Sequence, residues 1–171
     1  MTLRPFTLDD LAALVAINDG ASPAVPVTPP EELADLIALS ALTLVVDDGE
    51  PAGFIVALPP GLDYASENYT WFSARSRDFV YVDRIVLAPR LQGQGVGPLL
   101  YGAVEDAARE AGAGRVYCEV NVRPPNPGSL AFHARLGFVE IGRQKTKGGT
   151  VEVALLELPV DGPTAPSDVA G

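Results

Sequence analysis

Along the chain, segments with hydrophobic residues at every third or fourth position alternate with short runs that are apolar throughout or at every second position. Each change of period predicts a change of element. After a short strand over LRPF, the segment TLDDLAALVAIND opens on a Thr or Asp cap and sets Leu11, Leu14, Val15 and Asn18 at helical spacing. The proline-rich run ASPAVPVTPP leads into a second helix, EELADLIALS, with Thr28 as its cap and glutamates in the first turn. LTLVVDDGEPAGFIVAL reads as two strands turning at Asp48-Gly49. Residues 59–78 are polar and aromatic without a clear period, which predicts a long irregular loop. FVYVDRIVL is a strand apolar on both faces except at Asp83 and Arg84, and in a regular strand those neighbours point to opposite faces. GPLLYGAVEDAAREAG is a helix stopping at Gly112, and RVYCEVNV is a strand. NPGSLAFHARLG is a helix capped by Asn126 and ended by Gly137; FVEIGRQKT and TVEVALLEL close the chain as a hairpin around Gly148-Gly149.

This order, with strands and helices alternating in the middle and hairpins at both ends, predicts an α/β fold whose sheet mixes parallel and antiparallel pairs. A length of 171 residues suits one domain, assigned to residues 1–158, and residues 159–171 carry no apolar period and read as a flexible tail. Composition narrows the functional classes. Hydrophobic residues make up 47% of the chain, enough for a core, but no apolar run approaches the roughly 20 residues of a membrane span. The N-terminus has no export or transit pattern, so a cytoplasmic protein without membrane partners is expected. A formal net charge of −10 argues against nucleic acid as a partner and mildly favours a cationic or amine substrate. One cysteine, Cys118, and one histidine, His133, give no expected disulfide or metal site.

The chemistry begins in LQGQGVGPLL, residues 91–100, where a strand, a glycine-rich turn and a helix meet. Bare backbone lets N–H groups converge on an anion, and the helix start adds partial positive charge. A side chain at Gly93, Gly95 or Gly97 would hold a phosphate away from those amides, and a positive φ there would disfavour other residues. Pro98 fits the first helical turn, where its missing N–H has no intrahelical partner. The spacing matches neither G-x-G-x-x-G nor the Walker loop. Anion binding is therefore expected from the amides of residues 93–97, including Gln94 and Val96, and from the Gln92 side chain.

These residues resemble the coenzyme A motif of the GNAT superfamily of N-acetyltransferases, [QR]-x-x-G-x-[GA], at Gln92, Gly95 and Gly97, with Pro89 upstream. A second block, NPGSLAFHARLGFVEIG, resembles the family's Asn-x-x-(Ala/Ser)-x-x-hydrophobic-Tyr-x-x-x-Gly-Phe segment at Asn126, Ser129, Phe132, Gly137 and Phe138. The resemblance implies a mixed central sheet with helices on both faces, splayed between its fourth and fifth strands. It further implies acetyl-CoA as acyl donor, with backbone groups at Val86 and Leu87 on the pantetheine arm, pyrophosphate on the turn, and Asn126 and Ser129 beside the pantetheine. Homodimers are common among proteins of this resemblance. The implied reaction is transfer of acetyl to a primary amine, small or on a protein, by direct attack through a tetrahedral intermediate. A non-catalytic acyl-CoA-binding or sensory domain is the alternative, motivated by His133 standing where many relatives have a tyrosine that protonates the departing thiolate.

The acceptor amine must be neutral to attack, and three side chains are candidates for the proton chemistry. Asp83 is the first candidate base, because a carboxylate in the middle of an apolar strand is expensive to bury without a purpose or partner. Glu119, sharing one face of YCEVN with Asn121, is the second. His133, with an ordinary pKa near ~6.5, can serve as acid or base. In residues 62–77, Asp63, Tyr64, Glu67, Trp71 and Phe72 combine acidic and aromatic groups suited to a cationic acceptor.

Overall fold

A computed structural model of the chain describes residues 1–161. The elements in chain order are β1 (Thr2–Pro5), α1 (Leu11–Gly20), α2 (Pro30–Leu39), β2 (Leu42–Asp47), β3 (Pro51–Leu58), α3 (Glu67–Arg75), β4 (Val80–Leu87), α4 (Val96–Glu110), β5 (Arg115–Arg123), α5 (Pro127–Leu136), β6 (Val139–Thr146) and β7 (Val151–Pro159). The strands form one sheet in the order β1-β2-β3-β4-β5-β7-β6. Every neighbouring pair is antiparallel except β4–β5, the pair that the α4 crossover joins in parallel. Most of the expected tail lies outside the described residues; at its start Val160 is buried and its N–H donates to the Gly114 carbonyl at 2.9 Å.

Successive strand residues serve opposite faces of the sheet, so both faces carry a core. Val46, Ile55, Val80, Val82, Val116 and Cys118 pack with α4 and the inner side of α5. Val45, Phe54, Val56, Tyr81 and Tyr117 pack with α1, α2 and α3. This division explains the near-continuous apolar runs in β3 and β4, since a strand covered on both faces has no solvent side to mark with polar residues.

Three local expectations are revised. Residues 67–75 form the helix α3 rather than a loop: Ser66 caps it by accepting from the Tyr69 N–H at 3.2 Å, and Tyr69 and Phe72, three apart, anchor it in the core. Phe72 stacks on Tyr117 with ring centroids 4.3 Å apart, an arrangement that adds about 0.5–1.5 kcal/mol beyond area burial. Pro29, not Thr28, precedes α2, with Pro30 in its first turn, and the Thr28 hydroxyl is turned inward. Asp83 and Arg84 do not point to opposite faces. Val56 pairs with Arg84 while Ala57 pairs with Val82, so Asp83 is the extra residue of a β-bulge. The bulge also lets Val82 and Ile85, which regular alternation would separate, join the same core cluster.

Candidate active site

The parallel pairing of β4 and β5 is two residue pairs long, Val80 with Val116 and Tyr81 with Tyr117. Beyond them the strands part. The β4 edge from Val82 to Leu87 therefore has no strand partner toward β5, and a cavity of about 450 Å³ fills the opening. Asp83 and Arg84 of β4, Glu119 and Asn121 of β5, Tyr101 of α4, Ser129 and His133 of α5, and Asn126 just before α5 all border it. Val86 and Leu87 stand on the same unpaired edge, with their other side engaged by Phe54 and Gly53 of β3.

At the end of β4 the chain makes one 3₁₀ turn over Pro89–Leu91 and enters the glycine turn. Gly93 and Gly95 have φ of 76° and 77°, conformations that only glycine adopts at little cost, and a Cβ on either would meet nothing within 4 Å. The concave side of the turn is thus open. Gly95 is the N-cap of α4 and supplies no side chain, so among the described residues the amides of the first turn are uncapped. Gly97 is glycine for a different reason than expected: its φ is helical, and a Cβ there would lie 2.7 Å from Phe132 Cζ. That contact lets α4 and α5 approach closely. Gln94 is committed elsewhere, its side chain donating to the Arg90 carbonyl at 2.7 Å and its N–H to the Leu91 carbonyl at 3.4 Å. The open amides and the unpaired strand edge suit an extended ligand with an anionic end.

Glu119 faces the α1–α3 side of the sheet, alternating with Cys118, which faces α4. The Tyr81 hydroxyl lies 2.8 Å from both Glu119 carboxyl oxygens. Burial among protein groups is the main reason its pKa rises to about 8, and the nearby Asp83 charge raises it further; bonds from Tyr81 and Asn68, and the Arg84 charge, act in the opposite direction. The side chain keeps partial access through the cavity. A carboxyl group that ionises near pH 8 in a pocket is poised for proton transfer. It also makes folding pH-dependent: between its ordinary value of ~4.3 and about 8 the folded state holds a proton that the unfolded chain releases, so this group's stabilising contribution falls as pH rises through that window. Comparison of urea unfolding at pH 5.5 and pH 8.5 should show that Glu119→Gln gains stability relative to the parent at the higher pH. An equal difference at both pH values would show that Glu119 ionises normally.

Asp83 is fully engaged. Oδ1 accepts from the Tyr64 hydroxyl at 2.6 Å, and Oδ2 accepts from Arg84 Nε at 2.9 Å. Arg84 is held in turn, its Nη1 donating to Asn18 Oδ1 and to Thr28 Oγ1, both at 2.9 Å. The pair is thus locked between the bulge, α1 and the segment before α2, which is why Asn18 is fully buried on an otherwise apolar helix face.

His133 is 3% exposed and lies on the other side of the opening. Its Nδ1 is 2.7 Å from the Ser129 carbonyl, which fixes the hydrogen there, and Nε2 accepts from the Tyr101 hydroxyl at 2.7 Å. Burial lowers its pKa, which favours this neutral form. His133 therefore reaches the cavity through Tyr101 rather than with an N–H of its own. Asn126 caps α5, its Oδ1 3.4 Å from the Ser129 N–H. Of the acidic and aromatic residues in 62–77, Tyr64 and Glu67 border the cavity, whereas Trp71 packs against Gly142 with Arg75 4.3 Å above its ring.

A sequence profile described as the Acetyltransferase (GNAT) family matches residues 13–138, about three quarters of the chain. The chain belongs to this family. Its fold neighbours among solved structures agree at low sequence identity. The ribosomal-protein-S18-alanine N-acetyltransferase of Escherichia coli superposes with a TM-score of 0.72 over 97% of each chain at 19% identity. YncA of Salmonella typhimurium, solved with its cofactor acetyl-CoA, gives 0.70 over 98% of each chain at 20% identity. A phosphinothricin N-acetyltransferase of Streptomyces coelicolor is 34% identical over 64 residues, 37% of this chain and 36% of that protein. The match thus spans about a third of that relative's length.

Within this GNAT chain, reading the sequence missed Tyr81, Tyr101, Asn18 and Thr28 as polar partners of the site, and offered Tyr64 to the acceptor rather than to Asp83. Asn18 carried a signal, a polar residue on the apolar stripe of its helix. The tyrosines carried none, because a buried tyrosine and a core aromatic are indistinguishable until the hydroxyl's partner is known.

Proposed function

We propose that this GNAT protein transfers the acetyl group of acetyl-CoA to a primary amine, with Glu119 as the base that receives the amine's proton. The carrying observation is the position of Glu119: a carboxyl group with its pKa raised to about 8, opening into the cavity between the parted strands. The unpaired β4 edge at Val86 and Leu87 suits the amide-bearing pantetheine arm, and the turn at Gly93, Gly95, Val96 and Gly97 suits the pyrophosphate, with Gln92, Asn126 and Ser129 alongside. The amine nitrogen attacks the thioester carbon, a C–N bond forms, and a tetrahedral intermediate carries the oxyanion. A backbone N–H on the free β4 edge stabilises that charge. Loss of the ammonium proton toward Glu119 and cleavage of the C–S bond complete the transfer. The Tyr101 hydroxyl is the group assigned to the departing thiolate: its one hydrogen, given to His133 Nε2 in the resting site, turns to the sulfur as the C–S bond breaks. Burial raises its pKa well above the ordinary tyrosine value, so it stabilises the thiolate by hydrogen bonding and leaves final protonation to solvent.

The test is release of free CoA thiol from acetyl-CoA in the presence of a panel of primary amines. Amine-dependent release with formation of the matching amide supports transfer, and acetyl-CoA binding without turnover of any amine would sink it. The phosphate turn is tested separately by calorimetric titration with acetyl-CoA. Gly95→Val places a β-branched residue at φ 77° and a side chain on the open face of the turn, and is expected to weaken binding at least about tenfold. Unchanged affinity in a folded variant would remove the turn from the binding site.

A further inference from the structure

The α1–α3 side of the cavity contains one buried cation with an unused donor. Arg84 is 9% exposed in its side chain and is fixed on two of its three nitrogens, Nε on Asp83 and Nη1 on Asn18 and Thr28. Among the described residues Nη2 has no protein partner, and it keeps access to solvent. Arg84 is also part of the cavity wall, beside Tyr64 and the 23–26 segment. A guanidinium held rigidly through Nε and Nη1 loses little freedom when its remaining nitrogen binds an oxygen, so its preorganised Nη2 is an anion-oxygen anchor.

The surrounding charges select what it would anchor. A simple cationic amine finds few free carboxylates here, because both oxygens of Asp83 already have donors and Glu119 is shared with Tyr81. Asp83, Arg84 and Glu119 lie close enough that the charge of the first disfavours, and that of the second favours, ionisation of the third. An acceptor placing its amine at Glu119 would hold any nearby anionic group within reach of the Arg84 field. Resting on the acetyl-transfer reading above, we propose that the acceptor is a zwitterion: a small molecule carrying a carboxylate near its amine, bound through Arg84 Nη2, of which an α-amino acid is the simplest case. The same carboxylate survives in the product, so the N-acetyl amino acid retains the anchor contact.

The test compares matched substrates in the wild-type protein, each an L-amino acid and the amine left by removal of its carboxylate, using methionine, phenylalanine and glutamine. A charge-assisted bond to a buried guanidinium predicts kcat/KM at least about tenfold higher for at least one amino acid than for its decarboxylated partner. Equal or better use of the decarboxylated amines overturns the anchor while leaving acetyl transfer standing; failure to acetylate either series overturns both. The variant Asp83→Asn/Arg84→Gln, which removes the cation without stranding its carboxylate, should bring the ratio close to one. Calorimetry with the N-acetyl amino acid should show binding to the parent and not to the double variant. A carboxylate preference that survives in the double variant would move the anchor elsewhere on the cavity wall, Lys147 being the other cation there, and overturn the assignment to Arg84.

Discussion

Glu119→Gln is expected to lower kcat/KM for acetyl transfer by about 10²–10³-fold, within the range for loss of a positioned general base. Its effect on the pH profile is more specific than the fall in rate. The parent should gain activity with rising pH through an ascending limb centred near the Glu119 value of about 8, because only the carboxylate can accept the proton. The variant should lose that limb and follow only the ionisation of the acceptor amine. Glutamine keeps an acceptor for the Tyr81 hydroxyl, so the fold around the cavity is preserved and the change reads chemistry. A limb that persists unchanged in Glu119→Gln would assign the base elsewhere.

Asp83→Ala is expected to give the largest loss of stability of any single change around the cavity, about 3–5 kcal/mol by urea unfolding at pH 7. The magnitude follows from what is left behind. Arg84 would keep its burial and lose the carboxylate 2.9 Å from Nε, and Tyr64 would lose the acceptor of a 2.6 Å bond. Asp83→Asn should cost less, because an amide oxygen can still accept one of those bonds. It also separates two roles for this residue. If Asp83 acts on Glu119 through its charge, removing that charge lowers the Glu119 pKa and moves the ascending limb to lower pH without abolishing it. If Asp83 is itself the base, the limb disappears. The engagement of both Asp83 oxygens favours the first outcome, which makes Asp83 a positioning residue for Arg84 and an electrostatic neighbour of Glu119.

The fold was largely legible in the sequence, and so were the elements that would carry a cofactor. Regular periods survive in linear order: the helical spacing in α1 and α4, the apolar strands, and the glycine stops at Gly112 and Gly137 needed no tertiary information. The glycine turn was legible for the same reason. Positive φ at Gly93 and Gly95 is a local property that leaves a local mark, whereas Gly97 is fixed by Phe132, which lies 35 positions away along the chain. The helix α3 was read as a loop: its short length and polar character hid the Ser66 cap and the Tyr69–Phe72 spacing among turn-like residues.

What the sequence by itself determined, then, is a mixed α/β fold with a glycine turn between a strand and a helix, together with the residue types available for proton chemistry. Their surroundings were decided only by the tertiary structure. The bulge at Asp83 turned two neighbouring charges to the same side, and α1, with the segment before α2, then locked them as a pair. Burial beside Tyr81 and within the field of Asp83 raised Glu119 from an ordinary carboxylate to a group that ionises near 8, and a hydroxyl from α4 occupied the free nitrogen of His133. Periodicity is a one-dimensional record of which face each residue shows to the core. A pKa, a saturated carboxylate or an unused guanidinium nitrogen depends on which groups meet across the fold, and desolvation and Coulomb interactions act through space without leaving a pattern in the chain.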